Sequence, residues 1–312
     1  MRVAVLKGGR SHEREVSLRS GANVEAALRR LGHDVHAIDV DQRLVSNLRE
    51  VRPETAFIAM HGRGGEDGTV QELLEILAIP YTGSGVSSSA RAMDKVVSKA
   101  AFRAVGVPTP DWHAFSQTAF RDLGAASLLP EIEAQLGLPL VVKPAKQGSA
   151  LGISVVRTAG DMPGAIVTAL SYDDRVLTER FVAGRELAIS VLGTGDDAWA
   201  LPVVEATPKD RDFYDFESRY TAGLADLACP ADLPDPIAQE AARLALACYR
   251  ALDCRGFGRV DMVYGEDGRL WVLELNTIPG MTDTSLLPRA AEAAGLGFDE
   301  VVSRVLDQAG LE

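Results

Sequence analysis

The sequence predicts a mixed α/β protein built from three units, and three features of the 312-residue chain lead to this prediction. The chain is longer than one hydrophobic core usually organises. Its first third alternates short apolar runs with amphipathic segments, as parallel sheets with covered faces do. Its middle is rich in apolar runs joined by glycines, which favours a small α+β unit. We place the three units at 1–94, 95–184 and 185–312.

The first unit is predicted from its strand–helix alternation. The runs "RVAVLKGG", "VHAIDV" and "TAFIAM" are short and apolar, and each is followed by turn residues and a helical pattern. The segment "EREVSLRSGANVEAALRRLG" carries apolar residues at helical spacing and closes on Gly32, a suitable helix C-terminus. The segment "TVQELLEILAI" is similar. These elements predict a parallel sheet flanked by helices.

The second unit is predicted to begin with a long helix. The segment "SSSARAMDKVVSKAAFRAVGVPTP" fits one helix ending near Gly106. Two β-rich stretches follow, "LPLVVKPAKQGSALGISVVRT" and "RVLTERFVAGRELAISVLG", with one helix in "GDMPGAIVTAL" between them. The glycines between the apolar runs mark turns.

The third unit combines strands with two clear helices, "PIAQEAARLALACYRAL" and "FDEVVSRVLDQAG". Between them, two alternating runs flank a turn at Gly265–Gly268, which predicts a β-hairpin. Residues 206–230 show no clean periodicity, and a segment of that length favours a functional loop or lid.

Composition and charge restrict the class of protein. Hydrophobic residues make up 46% of the chain and charged residues 24%, an ordinary globular balance without an apolar run long enough for a membrane span. The net charge of −12 argues against nonspecific nucleic-acid binding. Three cysteines without CxxC spacing favour neither a disulfide framework nor a zinc site and fit a reducing cytoplasm. The N-terminus is predicted to form a strand and a turn, not a signal peptide.

The predicted hairpin carries the strongest chemical signal. Residues two apart on a strand share a face, so Arg259, Asp261, Glu274 and Asn276 are expected on one face. We expect Asp261 opposite Val272 and Arg259 opposite Glu274. Oxygen ligands without Cys or His suit Mg²⁺, which also takes oxygens from nucleotide phosphates. Alternatively, this face is solvated and balanced by an Arg–Glu pair across the strands.

A glycine loop in "VVKPAKQGSALGI" favours phosphate binding. Lys143 ends an apolar strand, and Gly148, Ser149 and Gly152 follow. Glycines let the backbone approach phosphate oxygens, and Lys143 and Lys95 can supply positive charge. The Walker A pattern is absent. The same glycines fit an ordinary β-turn equally well.

Three further groups of residues are candidates for ligand contacts. Glu179 and Glu186 surround a turn and can accept hydrogen bonds from an adenine amino group or from ribose hydroxyls, or can be solvated turn charges. Glu13 follows a glycine turn at a strand end, where open α/β sheets bind ligands, and can receive an ammonium or stabilise a helix N-terminus. His61 lies in a second such loop, although a lone histidine is usually structural.

Taken in order, these motifs resemble the D-alanine–D-alanine ligases of the ATP-grasp superfamily. The resemblance is carried by "GGRSHEREVSLRSG", "HGRGGEDGTVQELLEILAIPYTGSG", "MDKVVSK", "VVKPAKQGSALGI", "FYDFESRY", "GRVDM" and "LELNTIPGMTDTSLLP". It extends from Val5 to about Pro288 and implies a three-domain ATP-grasp fold with an N-terminal parallel-sheet domain. Positions that depart from the usual pattern are Gln147, Ala150, Arg219 and Ile278.

The resemblance also implies residue roles for the nucleotide. Lys95, Lys143 and the Gly148 loop would hold the ATP phosphates. Glu179, Val182 and Glu186 would contact its adenosine end. Asp261, Glu274 and Asn276 would bind two Mg²⁺ ions, with Mn²⁺ as a possible substitute.

For the substrate, the resemblance implies that Glu13 receives the ammonium of a first D-alanine and forms a hydrogen-bonded triad with Ser149 and Tyr220. His61 would lie near this D-alanine. Arg259 and the Gly280 N–H would form the oxyanion site. Arg219 would contact phosphate or substrate, and Ser285 would help to hold the carboxylate of the second D-alanine.

The implied activity is ATP-dependent synthesis of D-alanyl-D-alanine through a D-alanyl phosphate, for peptidoglycan precursors, by a cytoplasmic homodimer. A ligase joining D-alanine to D-lactate uses almost the same residues, and Tyr220 favours the dipeptide product. Another carboxylate–amine ligase of the superfamily would lack the Glu13 and lid motifs. A non-catalytic nucleotide-binding protein would be favoured by loss of Arg259 or of a metal ligand, and all of these residues are present.

Overall fold

The computed structural model describes residues 1–209 and 223–312. Three sheets organise these residues, in the order that the sequence predicts. None of the helices in these ranges is both long and apolar enough to cross a lipid bilayer.

The first sheet is parallel, as predicted. Its three strands are ordered β2-β1-β3 and comprise β1 Arg2–Lys7, β2 Asp34–Asp39 and β3 Thr55–Ile58. The helices that accompany it are α1 Arg14–Arg30, α2 Leu44–Val51, α3 Thr69–Ile76 and α4 Val86–Met93. Helix α1 ends where predicted, because Gly32 takes a left-handed backbone conformation (φ 83°) that glycine adopts without strain.

The predicted long helix is two helices, so that prediction was wrong. Helix α4 ends at Met93 and α5 spans Lys95–Ala104. Between them, Asp94 adopts an extended conformation, and its carboxylate accepts hydrogen bonds from the backbone N–H groups of Val96 (2.9 Å) and Val97 (3.3 Å). An aspartate at this position satisfies the unpaired N–H groups that begin a helix. The chain therefore restarts a helix at Lys95.

The second sheet is antiparallel, with the order β4-β7-β5-β6. Its strands are β4 Trp112–Ser116, β5 Leu140–Pro144, β6 Ser154–Val156 and β7 Arg175–Arg180. Its helices are α6 Gln117–Asp122, α7 Leu129–Leu136 and α8 Met162–Leu170. Helix α8 covers β5, and Ile166 and Leu140 are among the fully buried residues of this small core.

The third sheet runs β11-β10-β8-β12-β13, with β9 paired to β8. Its strands are β8 Gly184–Leu192, β9 Trp199–Ala200, β10 Val204–Pro208, β11 Ala225–Ala228, β12 Phe257–Gly265 and β13 Leu270–Asn276. The remaining α-helices in the described residues are α9 Asp235–Ala251, α10 Leu286–Ala293 and α11 Phe298–Leu306. Short 3₁₀ helices occupy Ala125–Leu128, Ala159–Asp161 and Gly195–Asp197.

The predicted loop 206–230 is partly strand. Its two ends belong to the antiparallel pair β10–β11, in which Ala206 lies opposite Leu227. The intervening part, including Arg219 and Tyr220, falls outside the described residues. The prediction of irregular structure across the whole range was therefore wrong at both ends.

The hydrophobic cores join distant parts of the chain. Helices α10 and α11 contribute Leu287, Val301 and Val305 to the core of the first sheet, although they follow all the strands of the third sheet in the described residues. Helix α5 packs with α9 and β13, so Phe102 lies in the core of the third sheet. The predicted boundary at 184 falls at the first residue of β8, and the boundaries at 94 and 184 do not separate the hydrophobic cores. The division into three units stays a prediction.

Phe257 contacts two sheets at once, since its ring lies 6.5 Å from that of Phe57 on β3 and both are fully buried. We expect Phe257→Ala to lower the free energy of unfolding by about 3–5 kcal/mol, because it leaves a cavity between the sheets. Denaturant unfolding would measure this change. In the control, Ile76→Ala, the side chain is 80% exposed, and a change within about 0.5 kcal/mol is expected. Equal effects of the two changes would contradict the joining role of Phe257.

Candidate active site

The hairpin β12–β13 has a different register from the one predicted. Arg259 lies opposite Asn276 and Asp261 opposite Glu274, whereas Met262 lies opposite Val272. The register shifts between Asp261 and Met262, which leaves Leu273 as an extra residue in a β-bulge. The predicted pairs of Asp261 with Val272 and of Arg259 with Glu274 were wrong, because alternation alone does not reveal a bulge.

The bulge decides which face Glu274 and Asn276 occupy. Continued from Met262–Val272 without a shift, the register would place Asp261 opposite Leu273. Glu274 would then lie on the other face, because a slip of one residue reverses every side chain. With Leu273 as an extra residue, Glu274 lies opposite Asp261 and Asn276 lies opposite Arg259. The bulge therefore brings Arg259, Asp261, Glu274 and Asn276 to a common face, the outcome predicted from a simpler register.

Each of these four side chains forms an ion pair or a hydrogen bond within the structure. The Arg259 guanidinium donates two hydrogen bonds to Asp261, from Nε to Oδ1 (2.6 Å) and from Nη2 to Oδ2 (2.8 Å). Glu274 Oε2 lies 3.0 Å from Lys95 Nζ. The Asn276 Oδ1 atom accepts from the Ile278 N–H (2.8 Å). Arg259 and Asp261 are each only 8% exposed, so charge neutralisation within the cluster is required.

The oxygen atoms of Asp261, Glu274 and Asn276 form a donor set of the hard type that Mg²⁺ prefers. In residues 1–209 and 223–312, no group of three or more His, Cys, Asp or Glu side chains is arranged to hold a metal ion. A cation at this face would therefore need the amide oxygen of Asn276 and oxygen atoms from a bound ligand. Lys95 and Arg259 now supply the positive charge opposite the two carboxylates.

A cavity of about 310 Å³ opens between the second and third sheets. Its walls are largely apolar and include Val155, Phe181 and Met262. Several residues predicted to contact a nucleotide or metal line it: Lys143, Glu179, Val182, Glu186, Asp261 and Glu274. A mostly apolar cleft with a few converging charges is typical of sites for nucleotide-sized ligands.

A buried cluster of charges forms part of this cavity. Glu179 is 3% exposed, and its carboxylate pairs with Lys143 through Oε1 and with Lys99 through Oε2, the latter at 2.8 Å. Burial raises the pKa of Glu179, but the attraction of Lys143 and Lys99 outweighs it and leaves the pKa below its usual value. Burial lowers the pKa of Lys99 to about 8, although Glu179 opposes this change.

Sequence reasoning missed Lys99. Its signal was its position, one helical turn after Lys95 in "MDKVVSK", which places both lysines on one face of α5. Lys95 reaches Glu274 on the third sheet, and Lys99 reaches Glu179 on the second. One helix thus supplies a cation to each of the two sheets.

A second, smaller cavity of about 40 Å³ adjoins the first. Predicted residues that line it are Glu13, His61, Lys95, Gly148, Ser149, Arg259, Glu274, Asn276 and Gly280. Glu274 lines both cavities. The two spaces therefore meet at the bulged hairpin.

The loop after β5 closes one side of the smaller cavity. Ser149 and Ala150 both take left-handed backbone conformations (φ 51° and 58°), which cost non-glycine residues energy. This conformation lets the Ser149 hydroxyl donate to Glu13 across the cavity. A methyl group on Gly148 would lie 2.9 Å from Glu13 Oε2, so glycine permits this close approach. Lys95 Nζ also donates to the Gln147 carbonyl of the same loop (2.7 Å).

Glu13 precedes helix α1 as its N-cap, yet its side chain makes no capping hydrogen bond. It is 3% exposed and meets Ser149 instead. Stabilisation of the helix by a side-chain cap does not explain this buried acid. A carboxylate held at the wall of a cavity can receive a cationic group of a small ligand.

His61 is 4% exposed and bonded on both ring nitrogens, with Nδ1 3.0 Å from the Ile278 carbonyl and Nε2 3.0 Å from Ser20 Oγ. Sequence reasoning missed its neighbour Glu66, which lies 3.5 Å from Nδ1, accepts from the Gly62 N–H (3.0 Å) and also lines the cavity. The glycine-rich segment 60–69 contains both residues, so the loop gave a signal for Glu66 as well.

Gly280 and Ser285 lie together at the end of the loop that follows β13. A methyl group on Gly280 would lie 2.6 Å from Ser285 Oγ, and that hydroxyl accepts from the Thr282 N–H (3.0 Å). Ser285 is near the cavity through Gly280 and does not itself line it.

Glu179 allows a test of the buried charge cluster. We expect Glu179→Gln to lower the free energy of unfolding by about 3–5 kcal/mol, because two buried ammonium groups lose their counter-ion. The matched control is Glu240→Gln, which removes an exposed pair with Arg243 and should cost less than about 1 kcal/mol. Denaturant unfolding near pH 7 measures both. A cost for Glu179→Gln no larger than that of the control would show that the cluster does not depend on this carboxylate.

Comparisons with known proteins give one consistent result. Family models described as D-ala D-ala ligase N-terminus and D-ala D-ala ligase C-terminus match residues 43–84 and 101–307. The chain is 44% identical to a D-alanine–D-alanine ligase of Bordetella avium over 99% of this chain and 94% of the relative. It is 46% identical to one of Anaeromyxobacter sp. (strain K) over 100% and 97%.

A solved structure agrees with these relatives. The D-alanine–D-alanine ligase from Bacillus anthracis complexed with ATP superposes with a TM-score of 0.82 and 32% identity, covering 99% of this chain and 97% of that chain. The match confirms the predicted fold, which is the ATP-grasp fold with an N-terminal parallel-sheet domain.

Proposed function

This chain belongs to the D-alanine–D-alanine ligase family, and we propose that its two adjoining cavities divide the reaction between ATP and the two D-alanines. The reaction is the ATP-dependent joining of two D-alanines to D-alanyl-D-alanine, with release of ADP and phosphate, for peptidoglycan precursors. The observation that carries the proposal is that Glu274 lines both cavities. Transfer of a phosphoryl group from one bound substrate to the other requires such a junction.

ATP would occupy the larger cavity. Its adenosine end would contact Glu179, Val182 and Glu186, which lie on or between β7 and β8. Its phosphates would lie toward Lys143, Lys95 and the loop containing Gly148. The apolar walls fit a base, and the lysines fit the phosphates.

The residues present fit divalent cations beside the phosphates. Two carboxylates and one amide oxygen, from Asp261, Glu274 and Asn276, would hold two Mg²⁺ ions, with Mn²⁺ as a substitute. When bound, such ions neutralise the phosphate charge that repels an attacking anion. In the structure, Lys95 pairs with Glu274 and Arg259 pairs with Asp261, so the negative charge of these carboxylates is already balanced by cations.

The first D-alanine would bind in the smaller cavity. Glu13 would receive its ammonium, held in position by the Ser149 hydroxyl. His61 would lie close by and would keep the wall rigid through its bonds to Ser20 and Ile278. Tyr220 would join Glu13 and Ser149, and Arg219 would contact phosphate or substrate, both from a segment outside the described residues.

The first step is attack by the D-alanine carboxylate on the γ-phosphorus of ATP, which forms a D-alanyl phosphate and releases ADP. The amine of the second D-alanine, its carboxylate held by Ser285, then attacks the acyl carbon. Arg259 and the Gly280 N–H would stabilise the negative oxygen of the tetrahedral intermediate, and phosphate leaves. Water must be excluded because it would hydrolyse the acyl phosphate. The Ser149 loop, closed on Glu13, contributes to this exclusion.

We also propose a cytoplasmic homodimer. Cys229, Cys248 and Cys254 are free thiols, which is typical of proteins in a reducing compartment. Cell fractionation and analytical ultracentrifugation would report the compartment and the mass. A periplasmic protein or a monomeric mass would contradict these two proposals.

The test of the proposed reaction uses purified protein with ATP, Mg²⁺ and single amino acids. Phosphate release is expected with D-alanine and not with L-alanine, and mass spectrometry should identify D-alanyl-D-alanine. D-Lactate offered with D-alanine at neutral pH should yield little ester product. Phosphate release that is independent of D-alanine, or an ester as the main product, would contradict the proposal.

The role of Glu274 at the junction of the two cavities can be tested with Glu274→Gln. We expect this change to lower kcat by about 100-fold or more while the fold is retained, because the side chain that lines both cavities loses its charge. Steady-state kinetics over a range of Mg²⁺ concentrations would measure this. Glu266→Gln, an exposed change in the turn of the same hairpin, is the matched control and should leave kcat unchanged. A near-normal rate for Glu274→Gln would remove the basis of the metal assignment.

A further inference from the structure

Lys99 is a buried cation next to the larger cavity that has no contact with the cavity itself. Its side chain is 0% exposed and is absent from the cavity wall, whereas Lys143 and Glu179 both line that wall. Its ammonium lies 2.8 Å from Glu179 Oε2, 2.5 Å from Thr109 Oγ1 and 5.4 Å from the centre of the Trp112 ring. Lys99 therefore contacts the cavity wall through Glu179.

Complete burial of a lysine costs stability unless its charge is matched. Here one carboxylate is shared between two ammonium groups, so the cluster of Lys99, Glu179 and Lys143 carries a net charge of +1. A single lysine would suffice to neutralise Glu179. The second lysine therefore adds a positive charge that Glu179 does not neutralise.

The two oxygens of Glu179 are divided between the lysines. Oε1 pairs with Lys143, which lies on β5 and lines the cavity. Oε2 pairs with Lys99 on α5, which does not line it. If Lys99 were absent, Lys143 would be the sole counter-ion of the buried Glu179 carboxylate. Moving its ammonium toward a phosphate would then leave the buried Glu179 carboxylate without a counter-ion, which opposes phosphate binding.

We infer that Lys99 is a positioning residue for nucleotide binding: it holds Glu179 as a fixed, neutralised anion and so leaves the charge of Lys143 available to phosphates. The inference rests on the proposed binding of ATP in this cavity. Lys99 touches neither ATP nor the reacting atoms, and its effect passes through Glu179 and Lys143. It should therefore influence ATP affinity and have little influence on D-alanine, whose proposed cavity Lys99 does not line.

The test is Lys99→Met, which keeps a linear side chain and removes the charge. Equilibrium binding of ATP with Mg²⁺, without D-alanine, should weaken by about 10-fold or more, because Lys143 becomes committed to Glu179. The KM for ATP should rise in parallel, while the KM for D-alanine should change by less than about twofold. A role confined to packing would not separate the two substrates in this way.

Arg103→Met is the matched control. Arg103 lies one helical turn after Lys99 on α5, stacks on the same Trp112 ring (4.2 Å) and pairs with exposed Asp111, but it has no contact with Glu179. This variant loses the same charge from the same helix and should bind ATP as the wild type does. If it weakened ATP binding as much as Lys99→Met does, a general loss of positive charge would explain the effect and the inference would be wrong.

Thermal unfolding of each variant establishes that it is folded before binding is measured. If Lys99→Met does not fold, Thr109→Val replaces it, because this change removes only the hydroxyl that holds the Lys99 ammonium. It should weaken ATP binding by about threefold. ATP affinity within the error of the wild type, in a folded variant of either kind, overturns the inference. Failure of the wild type to bind ATP would instead contradict the proposed function.

Discussion

The extra residue in the hairpin β12–β13 is the constraint on which the site depends. Leu273 has no partner across the hairpin, and its insertion turns Glu274 and Asn276 to the face that already carries Arg259 and Asp261. The pairing of Glu274 with Lys95 depends on that shift, whereas Arg259 and Asp261 lie two residues apart on β12 and pair without it. A regular hairpin with the same turn would separate the acids onto opposite faces of the sheet. Local irregularity thus makes the polar face possible within a strand pair that is otherwise apolar.

Buried charges around this hairpin are arranged in advance of ligand binding. Arg259 pairs with Asp261, Lys95 with Glu274, and Glu179 with two lysines. Each cation that would meet a phosphate therefore rests against an acid in a position set by strands or by helix α5. Such an arrangement lowers the reorganisation needed when an anionic ligand arrives, because the groups are already desolvated and oriented.

The helices and strands of this fold could be predicted where the residues of the element itself determine its conformation. Alternation predicted the parallel strands of the first sheet, and Gly32 predicted the end of α1. Prediction failed where a single side chain or a distant contact decides the outcome. The carboxylate of Asp94 begins a new helix at a point where the helical pattern of the sequence continues. The bulge at Leu273 does not change the alternation of apolar and polar residues, so the sequence pattern does not reveal it. Lys99 escaped notice because its partner Glu179 is distant in the chain, and only packing brings the two together.

The core of the first sheet also has a consequence for synthesis of the chain. Helices α10 and α11 supply Leu287, Val301 and Val305 to that core, and Tyr81 is bridged to Gly310 near the C-terminus. A ribosome makes the strands of the first sheet well before these two helices, so the interior of that sheet stays incomplete until residues 286–306 have been synthesised. The wall that carries Glu13 and His61 is therefore finished only after α10 and α11 have been added to the chain.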